Sequence, residues 1–274
     1  MVNYEQMDLS DVQRLARQRD KDALFEMAWR MPDAAKNNPV ENCAWQDYWF
    51  EKSADAGNID AKSRYARSLI NRIYNPEYRQ KAIGYFQSLV NDLDAGRLNE
   101  EQRIDGIISK LWLGIMLCQG FGTRRDAIKG SELIKAADSL TNGFADFGYG
   151  PLSKLGEVYG QGCAQIGGEP SISDLAQAIK YQETAIKRFN PERDDPNNRG
   201  FLSVAKEYLE MLKERKGNKE QSQKLTGKEP STINPDFGVW QHGMMELSTA
   251  AQQRLDAEKA AGVRLRDRLS KEGW

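Results

Sequence analysis

Residues 113–137 read LGIMLCQGFGTRRDAIKGSELIKAA, and much of that pattern returns from Leu155 to Ala185 at an offset of 42 residues. Self-similarity at a period of 20–50 residues is the signature of stacked supersecondary units, so this stretch sets the fold expectation: an all-α solenoid of helical hairpins. Leu111, Leu113, Ile115 and Leu117 sit on the end of a first helix that also holds Gly114. A glycine inside a helix costs about 1 kcal/mol relative to alanine. The spacing therefore predicts a compensating close approach by the partner helix, and Gly156 stands at the equivalent place. Gly120 and Gly122 supply the positive φ that lets the chain reverse. Asp126 is placed to cap the second helix. That helix is expected to turn Ile128, Leu133, Ile134 and Ala137 toward the core.

These residues resemble the Sel1-like repeat family, a relative of the tetratricopeptide repeat. Leu113, Gly114, Gly120, Gly122, Asp126, Lys129, Lys135, Ala136 and Ala137 fall on its pattern in one register. Leu117, Thr123, Gly130 and Leu133 depart from it at the Tyr, Val, Ala and Trp positions. The next unit keeps Leu155, Gly156, Tyr159, Gly162, Asp174, Ala178 and Ala185, with Tyr181 for Trp and a longer loop between Gly162 and Asp174. Weaker units precede them through Trp49, Lys52, Ala54, Gly57, Ala61, Tyr65, Ala66 and Leu69, then Lys81, Ala82 and Tyr85, and earliest through Ala23, Met27, Ala28 and Met31.

The domain reading follows: an N-terminal capping helix in 1–20, a solenoid of about four hairpins over 21–190, and a capping helix at 198–216. A polar linker is expected at 217–235 and a C-terminal helical extension over 236–274, with a narrow stripe of Leu247, Ala251, Leu255, Leu265 and Leu269.

Charged residues make up 29% of the chain and nearly cancel, leaving a formal net charge of -1 and no global field to attract nucleic acid or an anionic membrane. No window approaches the ~18 apolar residues of a bilayer span. As written the sequence predicts a cytoplasmic protein, or a periplasmic one if an export signal precedes it. Three cysteines, Cys43, Cys118 and Cys163, without CxxC spacing predict packed thiols and neither a disulfide framework nor a zinc site. One histidine, His242, beside Trp240 in the tail, leaves no imidazole-built metal site and no nucleophile–base pair. The carboxylate pairs Asp92 with Asp94, Glu100 with Glu101 and Asp194 with Asp195 read as solvated surface, and Gly120-Phe-Gly122 lacks the lysine of a phosphate loop. No catalytic residue, cofactor, metal or small-molecule substrate is expected, and the chain is read as no enzyme.

The resemblance implies that first helices line an inner, concave surface. Residues there that miss the core stripe become binding candidates: Arg64, Arg67, Lys110, Met116, Lys154 and Glu157. In the cluster Trp45, Tyr48, Trp49 and Phe50, helical spacing puts Trp49 in the core and offers Trp45 or Phe50 as an exposed anchor. The segments 91–102, 144–150 and 163–173 are expected to be long loops that contribute to binding. The function expected is a protein-binding scaffold. Sel1-like proteins with variable loops resemble those encoded beside secreted antibacterial effectors, which implies an immunity or inhibitor protein occluding one cognate effector toxin of the type VI kind. The alternative is a regulatory adaptor that assembles a signalling or envelope complex.

Overall fold

The computed structural model describes residues 3–32, 36–70, 76–141, 151–161, 175–189, 199–226 and 249–274. Among these the regular secondary structure is helical, without strands. The chain divides into two compact units, one of Met1–Gly106 with Met245–Trp274 and one of Ile107–Met244.

The first unit opens with a 3-10 turn, Tyr4–Gln6, followed by α1 (Leu9–Arg17), α2 (Lys21–Trp29), α3 (Pro39–Asp55), α4 (Ile59–Ile70) and α5 (Pro76–Asp94). The start of α6 (Glu100–Gln119) and the C-terminal α11 (Thr249–Lys271) complete it. The helices α1 to α5 pack in succession, α1 on α2, α2 on α3, α3 on α4 and α4 on α5, and α11 packs on α3. The helix starts are written in the sequence. The Asp20 carboxylate accepts from the amides of Asp22 and Ala23, and Asn38 does the same for Val40 and Glu41 with Pro39 behind it. These side chains satisfy amides that have no partner inside the helix. Gly57, at φ +95°, reverses the chain between α3 and α4, and the Asn58 side chain then accepts from the Ala61 amide. Met27, Trp49, Tyr65, Leu69, Phe86 and Leu89 form the core.

The second unit holds the rest of α6, then α7 (Ala127–Thr141), α8 (Pro151–Gln161), α9 (Leu175–Arg188) and α10 (Arg199–Thr226). The reversal after α6 uses Gly120 and Gly122 at φ +70° and +71°, and Asp126 accepts from the Lys129 amide at 2.9 Å. The close approach predicted at Gly114 is present: a Cβ there would lie 2.7 Å from the Gly130 carbonyl oxygen and 2.7 Å from a side-chain carbon of Ile134. Gly156 is similarly confined, with the Gln182 side-chain oxygen 2.7 Å from where a Cβ would stand. Gln182, 1% exposed, accepts from the Ser153 hydroxyl and donates to the Ala205 carbonyl, both at 3.2 Å, so one amide joins α8, α9 and α10. Arg188 donates to both carboxylate oxygens of Asp138 at 2.9 Å and fastens α9 to α7.

The structure departs from the sequence expectations at several places. Ile128 is 51% exposed while Ile134 and Ala137 are fully buried. Six residues at 3.6 per turn separate Ile128 from Ile134 by roughly 240° around the helix, so they cannot share a face. The segment 91–102 is no long loop: α5 runs to Asp94 and α6 begins at Glu100. The capping helix expected at 198–216 continues to Thr226, into the stretch read as a linker. Lysine, glutamate and glutamine are good helix formers, so lack of apolar residues did not signal the end of a helix. Cys118 is fully buried and Cys43 partly so. The expectations for Cys163, His242, Trp240 and the segments 144–150 and 163–173 lie outside the described residues.

Candidate protein-binding surface

On the first unit, α2, α4 and the start of α6 carry a cluster of exposed and half-buried side chains. Trp29, the last residue of α2, is 45% exposed. Its ring stands 6.1 Å from Phe25 at 76° and 5.5 Å from Phe50 at 72°, and Phe25 and Phe50 are themselves 5.5 Å apart. Edge-to-face contacts of this kind hold a large ring in one orientation. The Arg64 guanidinium, from α4, lies 5.1 Å from the Trp29 ring centre and 5.8 Å from that of Phe25. A guanidinium stacked on ring faces keeps its in-plane N–H donors turned outward. The cluster therefore presents a fixed indole beside a positioned donor fork.

One turn on, Arg67 donates to the Ser63 carbonyl at 3.4 Å and lies 3.7 Å from the Asp105 carboxylate, which also accepts from the Ser63 hydroxyl. Burial lowers the Arg67 pKa, and Asp105 opposes that shift. Asp22 accepts from the Asn58 amide at 2.8 Å. Asp60, in the first turn of α4, titrates above its ordinary 3.8 because burial and then the charge of Asp105 disfavour the carboxylate; Arg64 works the other way, and Asp22 and Glu101 add to the rise. The folded chain thus holds the Asp60 proton more tightly than the unfolded chain. Ionisation costs stability as the pH rises from 3.8 through the folded value, and the cost is absent below 3.8. Asp60→Asn is expected to stabilise the protein by ~0.5 kcal/mol near neutral pH, the half-open site being screened by solvent, and to gain nothing in strong acid. Urea unfolding at the two pH values measures this, and an equal gain at both would contradict it.

The expected site residues separate into distinct environments. Arg64 is exposed and Arg67 half-buried on this surface. Trp45 and Phe50 are not exposed anchors: they are 5% and 6% accessible. The reason is that α3 is covered by α2, α4 and α11, so its aromatic residues are buried around most of its circumference. The Trp45 indole N–H donates to the Met27 carbonyl at 2.8 Å, and Phe50 serves as the buried backing of Trp29. In the second unit, Met116 and Lys110 are 2% and 7% exposed, interior positions of α6 rather than the surface expected of them. Lys154 and Glu157 pair with each other along α8 at 2.9 Å. Trp29 was not among the residues singled out. The signal for it was Phe25 and Trp29 one turn apart and off the stripe of Ala23, Met27 and Ala28.

Among the described residues no three His, Cys, Asp or Glu side chains gather to hold a metal ion, and no helix is long and apolar enough to cross a membrane. The hairpins and their repeated sequence define the class: an all-α protein of helical-hairpin repeats. The sequence matches no known family model and no curated protein. Among the solved structures similar to it are two bacterial proteins. One is a protein from Klebsiella pneumoniae subsp. pneumoniae described as a Sel1 repeat protein, 19% identical, with 74% of this chain aligned to 82% of that one at a TM-score of 0.37. The other is a protective antigen present in uropathogenic Escherichia coli strains and displaying an SLR fold, 18% identical, with 81% of this chain aligned to 44% of that one at a TM-score of 0.43.

Proposed function

We propose that this chain is a non-enzymatic protein-binding scaffold that docks a single partner on the α2/α4 surface, with Trp29 and Arg64 as its anchors. The observation that carries this reading is the exposed Trp29 ring, wedged by Phe25 and Phe50 and overlaid by Arg64 at 5.1 Å. Tryptophan and arginine are enriched among the few residues that dominate binding energy, and a side chain already held in place loses little freedom on association. The mixed charges around them, Asp60, Asp105 and Arg67, favour discrimination between partners and fast association over raw affinity.

The finer reading is an immunity or inhibitor protein: the surface covers the active site of a secreted effector toxin and occludes it. That reading rests on the sequence resemblance. Isolation of a stoichiometric partner from the native cell, followed by titration calorimetry, tests both levels. Trp29→Ala and Arg64→Ala are each expected to weaken binding by about 2 kcal/mol, close to 30-fold, while the helical circular dichroism stays unchanged. Undiminished binding by both variants would remove this surface from the account. Several housekeeping partners, none of them toxic, would sink the inhibitor reading and leave the scaffold standing.

A further inference from the structure

The charged groups beside Trp29 are not equally available to a partner. Asp105 accepts from the Ser63 hydroxyl and lies 3.7 Å from Arg67. Asp22 accepts from the Asn58 amide at 2.8 Å, and Glu26 is paired with Arg30 at 2.8 Å. Asp60, in the first turn of α4, is half-buried, and the charges of Asp105, Asp22 and Glu101 all act on it. Arg64 stands apart from these. It is exposed, it lies over the rings of both Trp29 and Phe25, and among the described residues it makes no hydrogen bond or ion pair. Glu101 is exposed on α6 as well, but among the described residues no ring holds it in place.

A guanidinium stacked on rings has already lost much of its freedom and the water from one face, so a new bond to its edge orders little that is not ordered already. The planar fork of N–H donors matches the two oxygens of a carboxylate, which it can bind with two parallel charge-assisted hydrogen bonds. Trp29, 45% exposed beside that fork, offers apolar area to whatever flanks the carboxylate. The neighbouring acids repel an incoming anion, but they act through space across solvent or from partly buried positions. Coulomb energy falls with distance, so the direct contact with Arg64 outweighs them.

We propose that the group a partner seats on this surface is a single carboxylate, an aspartate or glutamate side chain bound by the Arg64 fork, with an adjoining apolar side chain laid on Trp29. This deepens the α2/α4 docking reading and rests on it. A basic anchor on the partner is the opposite case: it would pair with Asp60 and be repelled by Arg64. Asp60 therefore fixes the sign of the test, because its charge opposes a carboxylate and favours a cation.

The isotope-labelled full chain is titrated with the peptide acetyl-Leu-Asp-Leu-amide while the Trp29 indole N–H and Arg64 Nε–H resonances are followed, each assigned by its loss in Trp29→Phe or Arg64→Gln. Both resonances are expected to move together and to saturate. Acetyl-Leu-Asn-Leu-amide should bind on the order of tenfold more weakly, having lost the charge-assisted pair, and acetyl-Leu-Lys-Leu-amide more weakly again. In the chain carrying Asp60→Asn the aspartate peptide should bind about twofold more tightly, the effect of one like charge removed across water. Arg64→Gln should abolish the preference for the aspartate peptide over the asparagine one, as read from the Trp29 resonance. Equal binding of those two peptides by the unaltered chain would overturn the carboxylate, and so would weaker binding of the aspartate peptide after Asp60→Asn. Resonances unmoved by all three peptides at millimolar concentration would overturn it too. The docking surface itself stands or falls separately, by the calorimetry of Trp29→Ala and Arg64→Ala.

Discussion

Gly130→Ala is expected to destabilise the protein by about 2 kcal/mol, although alanine is the better helix former by ~1 kcal/mol and is the residue of the repeat pattern at this position. A Cβ at Gly130 would lie 2.6 Å from the Gly114 carbonyl oxygen, 2.8 Å from the Cys118 amide nitrogen and 2.6 Å from its sulfur. Two of these three atoms are backbone and cannot turn aside, so α6 and α7 must move apart and open their buried contacts. From the other side, Gly114→Leu meets the Gly130 carbonyl at 2.7 Å and is expected to cost about 3 kcal/mol, the upper end of overpacking penalties. The two glycines form one contact, so the double variant should cost less than the sum of the single ones. Urea unfolding followed by circular dichroism measures all three, and an unchanged midpoint for either single variant would refute the close crossing.

Trp49→Ala is expected to have the largest effect, about 3–5 kcal/mol. Trp49 is 1% exposed and touches the rings of Trp45, Tyr48 and Trp274 at 5.7, 5.1 and 4.9 Å, so truncation leaves a cavity walled by other large rings. Trp49→Phe should cost only about 1 kcal/mol, because together with the lost volume it removes an indole N–H that is buried with no acceptor among the described residues. Near-equal losses for the two substitutions would show that the donor carries no penalty.

The repeat was legible wherever a residue type had one physical use. Gly120 and Gly122 reverse the chain at positive φ, Asp126 caps α7, and Gly114 marks a close crossing, all as their chemistry requires. Gly130 could be read only as a departure from the pattern, because its meaning lies in Gly114 on another helix. Periodicity names one buried face of a helix but does not count its neighbours. Trp45 and Phe50 were offered as exposed anchors for that reason, whereas both are buried against α2, Trp45 through its bond to Met27 and Phe50 beside Phe25 and Trp29. Of the candidate surface, Arg64 and Arg67 could be named from helix position alone, whereas Trp29 depended on the buried rings of Phe25 and Phe50 fixing its pose.

Gln182 has a consequence for how such a chain can grow. Its amide accepts from Ser153 before it and donates to Ala205 after it, so the helices on either side are identified by polar groups as well as by shape. A copied or transplanted unit spliced in at this joint would strand the amide in an apolar interior, while apolar joints tolerate an extra module as long as volumes match. Lengthening by duplication is thereby discouraged between α9 and α10, and the order of the last elements is locked by a single side chain.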